Sequence, residues 1–152
     1  MPGTPGRAPI GIVGAGSLGQ AYAALLARAG DNVVLFASPD SALRLKGAGR
    51  VLLTGAVTVD VPLGAPGVRG GTLSVSDDPS ALALVDGVIF ATKGHQLRRA
   101  AVEVAQAMEA QAGREWWVTG VQNGLVKDEI LRDAFGESRL VGAVSILGAG
   151  RE

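Results

Sequence analysis

The 152-residue sequence contains no cysteine and one histidine, and it has no net charge because 14 basic residues balance 14 acidic ones. The absence of cysteine excludes disulfides, thiolate catalysis and cysteine metal sites, and it fits a cytoplasmic protein. With His95 as the single histidine, a histidine metal centre or a serine–histidine triad is not expected, and we predict no metal site. The balanced charge argues against nucleic acid as a partner, because no basic excess can displace counterions.

Long hydrophobic runs are absent as well. No stretch approaches the roughly 18 apolar residues that a membrane span needs. The opening "MPGTPGRAP" lacks the apolar core of a signal peptide. We therefore expect a flexible N-terminal tail at residues 1–9, no export and no membrane partner. The 47% hydrophobic content is sufficient for one domain over residues 10–152.

The rest of the chain alternates short apolar runs with segments of helical periodicity. Ile10–Val13 and Val33–Phe36 predict strands on either side of an alanine-rich helix that ends at Gly30, which makes a βαβ unit. Further strands are predicted at residues 51–53, 57–61, 72–75, 87–91, 116–119 and 140–144. Further helices are predicted at residues 41–46, in "DDPSALALV" with Asp77 or Asp78 as N-cap, at 96–110 and at 127–134. This alternation predicts an α/β fold of Rossmann type, a doubly wound and mostly parallel sheet with helices on both faces and strand order 3-2-1-4-5-6.

A glycine motif joins the first strand to the first helix. "GAGSLG" places Gly14, Gly16 and Gly19 in G-x-G-x-x-G spacing, inside the βαβ context that this motif requires. The first glycine permits the tight turn, the second lets a pyrophosphate approach the backbone, and the third lets helix and strand pack closely. The helix N-terminus then binds the anion. The motif predicts a dinucleotide site; a glycine-rich turn that binds nothing is the alternative.

The end of the second strand indicates which dinucleotide is preferred. Ala37 and Ser38 lie where NAD sites usually carry an acidic residue for the ribose 2′-OH. Asp40 follows at the start of the next helix, where we expect it to be the N-cap. Without a carboxylate to repel a 2′-phosphate, and with Ser38, Arg44 and Lys46 nearby, NADP is favoured over NAD.

Two polar loops follow later strands of the predicted sheet. Neighbouring parallel strands lie about 4.8 Å apart, so loops carrying Gly14, Lys93 and Asn123 should stand side by side at the carboxyl edge, where such folds bind ligands. Lys93 is then delivered to ribose hydroxyls, phosphate or a substrate carboxylate; the alternative is a lysine that snorkels from a strand end. Asn123 has the alternative of a simple Asn-Gly turn. His95 and Gln96 are weaker candidates, and we expect a surface position for His95.

Four segments, "GAGSLG", "VIFATKGHQL", "VQNGL" and "LVGAVSILGA", resemble in order and spacing the N-terminal half of ketopantoate reductases (2-dehydropantoate 2-reductases). The resemblance implies an oxidoreductase of pantothenate biosynthesis that transfers hydride from NADPH to the ketone of a 2-keto acid such as ketopantoate. It implies that Lys93 and Asn123 are the catalytic residues, with Lys93 at the nicotinamide ribose and Asn123 near the nicotinamide and the substrate. The cofactor-binding set is then Gly14, Ala15, Gly16, Ser17, Leu18, Gly19, Ser38, Lys93, Asn123 and Ala149.

The sequence departs from this family's pattern in two respects. Members often have an arginine where Ser38 stands, and a second, helical domain supplies their general-acid lysine and most substrate contacts. We therefore expect this chain to bind cofactor but to turn over poorly alone, and to expose an apolar patch near its last strand through which a homodimer can form. The alternatives are a standalone dinucleotide-binding module without chemistry, and another NAD(P)-dependent dehydrogenase, such as one acting on glycerol phosphate.

Overall fold

A computed structural model describes residues 8–111 and 113–150. Its strands are β1 Ile10–Val13, β2 Val33–Phe36, β3 Arg50–Leu53, β4 Val59–Pro62, β5 Leu73–Ser76, β6 Gly87–Phe90 and β7 Trp117–Gly120. Its α-helices are α1 Ser17–Ala29, α2 Pro39–Ala48, α3 Gly94–Met108 and α4 Val126–Phe135. Five strands form one parallel sheet in the order β5-β2-β1-β6-β7. The Rossmann-type α/β fold is thereby confirmed.

The strands of this sheet end in register at the carboxyl edge. Val13 at the end of β1 lies opposite Phe36 of β2 and Phe90 of β6, and Phe90 lies opposite Gly120 of β7. Because the strands are parallel, the residues that follow these four ends emerge side by side. The sheet thus brings the loops with the candidate residues to one edge.

Each face of the sheet has its own apolar core. Ile12 of β1 packs in one core, which α1 and the β3–β4 hairpin cover with residues such as Ala24 and Val59. The next residue, Val13, packs in the other core with Leu97 of α3 and Leu131 of α4. Successive strand residues point to opposite faces. A strand buried on both sides must therefore be apolar throughout, as β1 is.

Two segments before β6 differ from the expected elements. β3 and β4 form a separate antiparallel hairpin, and the second strand starts at Val59 rather than at residue 57. The segment "DDPSALALV" forms only a 3₁₀ turn, Pro79–Leu82, instead of a longer helix. Asp78 rather than Asp77 caps it, accepting a hydrogen bond from the Ser80 N–H at 2.9 Å. The hydrogen bonds from Ser80 lower the pKa of Asp78.

The expected strand at residues 140–144 is wrong in its extent. Leu140 forms a single parallel bridge with Val118, and the Val141 N–H donates to the Val118 carbonyl at 2.9 Å. The Thr119 hydroxyl donates to the Val141 carbonyl at 2.6 Å, which holds the start of the segment against β7. Pairing stops there because Gly142 and the alanine after it have low β-propensity.

Both ends of the described chain bear on the domain boundaries. Of the expected tail, residues 1–7 lie outside the described residues, and the Pro9 carbonyl already accepts a hydrogen bond from the Asp86 N–H at 2.9 Å. Exposed apolar side chains occur at the start of α4 and along the C-terminal segment: Leu125, Val126, Val141, Val144, Ile146 and Leu147. This is where an apolar patch was expected. That a homodimer forms through this patch stays a prediction.

The indole ring of Trp117 occupies the space that a side chain at position 87 would need. A Cβ at Gly87 would overlap the indole of Trp117 on the neighbouring strand. Gly87→Ala should therefore displace the indole and destabilise the fold by about 1–3 kcal/mol. In a Trp116→Phe background, which leaves Trp117 as the reporter, its emission should shift to the red.

Gly94→Ala is the matched control, because beyond its chain neighbours and the backbone of its own helix no described atom lies within 4 Å of the position of its Cβ. Unchanged emission and unchanged stability in Gly87→Ala would show that the ring does not occupy this space.

Candidate functional site

The glycine turn packs directly on the loop after β6. Gly14 has φ +106°, a conformation that favours glycine, and its N–H donates to the Phe36 carbonyl at 3.0 Å. A Cβ at Gly14 would lie 2.8 Å from the backbone nitrogen of Thr92. Gly14 is therefore required both by its backbone conformation and by the close approach of the loop that leads to Lys93.

The other two glycines of the motif differ in their surroundings: Gly19 is crowded and Gly16 is open. A Cβ at Gly19 would overlap the carbonyl oxygen of Gly14, so this glycine lets α1 begin against the end of β1. Gly16 is the N-cap of α1, and apart from its chain neighbours no described residue has an atom within 4 Å of the position of its Cβ. Space is therefore open in front of the helix at the position where the motif predicts a pyrophosphate.

The first turn of α1 offers backbone donors to this space. Its N-cap makes no side-chain hydrogen bond, and first-turn N–H groups have no partner within the helix. Ser17 and Leu18 lie in this turn and are half-buried, whereas Ala15 is buried. The Gln20 amide donates to the Ala15 carbonyl at 2.8 Å and so holds the turn. Gln20 was missed by sequence reasoning, because a glutamine just after the motif carries no distinguishing pattern.

At the end of β2 the helix cap differs from the expectation. Ser38, not Asp40, is the N-cap of α2: its hydroxyl accepts a hydrogen bond from the Ser41 N–H at 3.3 Å. Asp40 lies in the first helical turn. The Arg44 guanidinium turns back to donate to the Ser41 hydroxyl at 3.5 Å, whereas Lys46 lies in the last turn. A cation and an exposed hydroxyl thus lie at this helix N-terminus.

Lys93 lies at the corner between β6 and α3. The helix begins at Gly94, two residues earlier than expected, so Lys93 is its N-cap position and is exposed. His95 and Gln96 are exposed in the first turn, as expected for a surface histidine. Within residues 8–111 and 113–150 no carboxylate pairs with Lys93. A cation at a helix N-terminus is unfavourable, so this position does not serve helix stability.

Asn123 lies at one end of an open pocket next to β7. It is exposed and precedes Gly124, which has φ +90°, so an Asn-Gly turn is present. The pocket has a volume of about 310 Å³ and is lined by residues 122–125, 127, 128 and 142–145. Lys127 lies in its wall, only 6% exposed, with its ammonium 2.8 Å from the Asp128 carboxylate. Sequence reasoning placed Lys127 only at a helix start, because its burial depends on tertiary packing.

The C-terminal segment is tied to α1 rather than to the sheet beyond its first residues. The Ser145 hydroxyl and the Tyr22 hydroxyl are 2.7 Å apart. Ala149 lies farther along the same segment, exposed and outside the lining of the pocket at Asn123. The structure therefore brings the glycine turn and the loops of Lys93 and Asn123 to one edge, and it does not place Ala149 in that pocket.

A larger pocket, of about 700 Å³, lies at the opposite edge, where β6 and β7 begin. An ion pair of 2.9 Å between Arg114 and Asp86 lines it, and the Arg139 guanidinium stacks 4.2 Å from the Trp116 ring centroid. It is remote from the glycine turn and is not part of the candidate site. Among the residues that the structure describes, no cluster of three or more metal-ligand side chains occurs, and no helix is long and apolar enough to cross a membrane.

A parallel sheet with a glycine turn at its carboxyl edge is typical of dinucleotide-binding domains. The family model described as "Ketopantoate reductase PanE/ApbA" matches residues 10–152. The chain therefore belongs to the ketopantoate reductase family. None of the curated proteins matches the chain.

Solved structures share this fold. The PanE/ApbA family ketopantoate reductase from Ralstonia eutropha JMP134 is 29% identical, with a TM-score of 0.68 over 90% of this chain and 40% of that one. The 2-dehydropantoate 2-reductase from Porphyromonas gingivalis W83 is 22% identical, with a TM-score of 0.68 over 91% and 46%. The glycerol-3-phosphate dehydrogenase from Coxiella burnetii is also 22% identical, with a TM-score of 0.67 over 91% and 40%. The chain spans less than half the length of each of them.

Proposed function

We propose that this chain is the NADP-binding half of a reductase that transfers hydride from NADPH to the ketone of a 2-keto acid such as ketopantoate. The observation that carries the proposal is the shared register of the strand ends, Val13, Phe90 and Gly120. It places the glycine turn, Lys93 and Asn123 in adjacent loops. Family membership supports the reaction class.

The glycine turn supplies the binding energy for the dinucleotide. The first-turn N–H groups of α1 and the positive end of its dipole face the open space at Gly16, and both favour a pyrophosphate. Ser17 and Leu18 contribute backbone donors in this turn. Gly14 and Gly19 act indirectly, since they let the turn and the helix pack closely enough to form the site.

The N-terminus of α2 supports NADP as the cofactor. Ser38 and Ser41 present hydroxyls there, and Arg44 brings a guanidinium that can pair with a 2′-phosphate. Asp40, in the same turn, is the group that would favour the ribose 2′-OH of NAD instead. We give the greater weight to Arg44, because its guanidinium already points back to this turn.

Lys93 and Asn123 orient the reacting groups. A nicotinamide held beside these loops would supply the hydride for the carbonyl carbon of the keto acid, and a proton on the carbonyl oxygen would complete the 2-hydroxy acid. The Lys93 ammonium binds the ribose hydroxyls and stabilises negative charge in the substrate region, and the Asn123 amide holds the substrate. The family resemblance assigns the proton donor to a lysine of a second, helical domain.

The remaining parts of the proposal concern surroundings and partners. We place the enzyme in the cytoplasm, on the cysteine-free composition. The substrate is a small 2-keto acid. The exposed apolar side chains at Leu125 and Ile146 supply a surface for a homodimer.

Titration with NADPH and with NADH tests the proposal, with energy transfer from Trp116 and Trp117 to the reduced nicotinamide as the signal. NADPH should bind more tightly than NADH. Lys93→Ala should weaken NADPH about tenfold, the usual cost of a lost charged hydrogen bond. Arg44→Ala should weaken NADPH and leave NADH unchanged, because only NADPH carries the 2′-phosphate.

Arg69→Ala is the control for the loss of one positive charge. Arg69 lies beside Gly30, at the far end of α1 from the glycine turn. A preference for NADH would transfer the specificity to Asp40 and favour a different dehydrogenase. A folded chain that binds neither dinucleotide would overturn the proposal.

A further inference from the structure

We infer that Gln122 is a positioning residue that holds the loops of Lys93 and Asn123 at a fixed separation. The inference rests on the proposed function of those two residues. The Gln122 side-chain amide donates to the Thr92 carbonyl at 2.9 Å and lies 3.3 Å from the Thr92 hydroxyl. Thr92 immediately precedes Lys93, and Gln122 immediately precedes Asn123. One side chain therefore bridges the residues next to both candidate catalytic groups.

The orientation of this amide is determined by its partner. The Thr92 carbonyl only accepts hydrogen bonds, so the amide must present its NH₂ group to Thr92. Its oxygen Oε1 then points toward Gly120, where it lies 2.7 Å from the position of a Cβ. Because Gly120 has no side chain, the Gln122 amide has room to lie beside it.

The Gln122 oxygen is buried and, among the described residues, has no hydrogen-bond donor. A buried acceptor without a donor is destabilising. An apolar side chain of similar length would avoid that cost. Stability alone therefore does not account for glutamine at this position, whereas the bridge to Thr92 does.

Thr92 is the middle one of three residues that are joined by two contacts along the carboxyl edge. On one side its backbone nitrogen lies 2.8 Å from the Cβ position of Gly14, and on the other side it accepts from Gln122. The contacts of Thr92 therefore help to set the distances between the glycine turn, the Lys93 loop and the Asn123 loop. Loss of the Gln122 bridge would remove the side-chain hydrogen bonds that join the Lys93 loop to the Asn123 loop.

A double-mutant cycle on NADPH affinity tests this inference. The unmodified chain, Gln122→Met, Lys93→Ala and the double variant are titrated with NADPH. Methionine matches the length of glutamine and adds no charge. Gln122→Met should weaken binding several-fold, and the about tenfold effect of Lys93→Ala should fall to about twofold in the Gln122→Met background. A general loss of stability would weaken binding without removing the specific contribution of Lys93.

A cofactor-free measurement makes the inference independent of the proposed function. Amide hydrogen exchange at residues 91–95 and 121–125 should accelerate about tenfold in Gln122→Met, because the loops lose their bridge. Gln111→Met is the matched control, since Gln111 is also buried but bonds to Arg114 at the opposite edge. It should change neither the NADPH affinity nor exchange in these loops.

The outcomes separate the two hypotheses. If the unmodified chain does not bind NADPH, the proposed function fails, and hydrogen exchange alone decides the role of Gln122. If Lys93→Ala keeps its full effect in the Gln122→Met background, or if exchange in the loops is unchanged, the positioning role is overturned. Gln122→Leu replaces Gln122→Met in both measurements if the methionine variant does not fold.

Discussion

Gly19→Ala is expected to destabilise the domain by about 3 kcal/mol or more, because the added methyl overlaps a backbone oxygen rather than a movable side chain. That oxygen is the carbonyl of Gly14, at the end of β1. To accept the methyl, α1 must move away from the sheet or the turn must change conformation. For a chain of this length the thermal midpoint should fall by roughly 6–12 °C.

Helix propensity acts in the opposite direction and is too small to compensate. Within α1, alanine is favoured over glycine by about 1 kcal/mol. Gly47→Ala in α2 isolates the contribution of helix propensity. Beyond its chain neighbours and the backbone of its own helix, no described atom lies within 4 Å of the position of its Cβ, and its φ is not positive. We expect Gly47→Ala to raise the thermal midpoint by a few degrees. Equal midpoints for the two variants would show that α1 does not pack against Gly14 as described.

The elements that sequence reasoning placed best are those buried on both sides. β1, β2 and β6 are short apolar runs, and their burial between two cores leaves no polar position to confuse the pattern. The glycine motif was equally informative. At Gly14 and Gly19 any side chain would collide with backbone atoms, so only glycine fits, and the requirement is visible in the sequence.

Helix starts were less predictable because caps depend on which of several polar residues the chain uses. Ser38 and Asp40 are both good N-caps by type, and only the path of the chain after β2 makes Ser38 the cap. The helix after Lys93 was expected to begin at Gln96, but it begins at Gly94, which makes Lys93 the N-cap position. These differences of two residues change which side chains face the carboxyl edge.

Contacts between distant residues were beyond sequence reasoning. Gln122 and Thr92 are thirty positions apart, and Tyr22 and Ser145 are 123 apart. No local pattern marks either pair. The expected strand at residues 140–144 was too long for a related reason, since a strand needs a partner along its length and only Leu140 and Val141 of this segment bond to β7.

Gly16→Ala should abolish most cofactor affinity while leaving the fold intact. Gly16 has φ −73°, which alanine adopts without strain, and its Cβ would enter open space. The expected loss of stability is only about 0.5 kcal/mol, from alanine being a poorer N-cap than glycine. If a pyrophosphate approaches this α-carbon, however, the methyl must push it away from the first-turn N–H groups.

The expected loss of NADPH affinity lies between about ten- and a hundredfold, the equivalent of one or two weakened hydrogen bonds to a charged group. Energy-transfer titration measures it, and a thermal melt of the same sample shows whether the fold persists. The pair of glycine variants separates structure from binding, since Gly19→Ala mainly lowers stability and Gly16→Ala mainly lowers affinity. Unchanged affinity in Gly16→Ala would mean that the dinucleotide does not pass over this turn, and the glycine motif would then serve only the packing of α1 on β1.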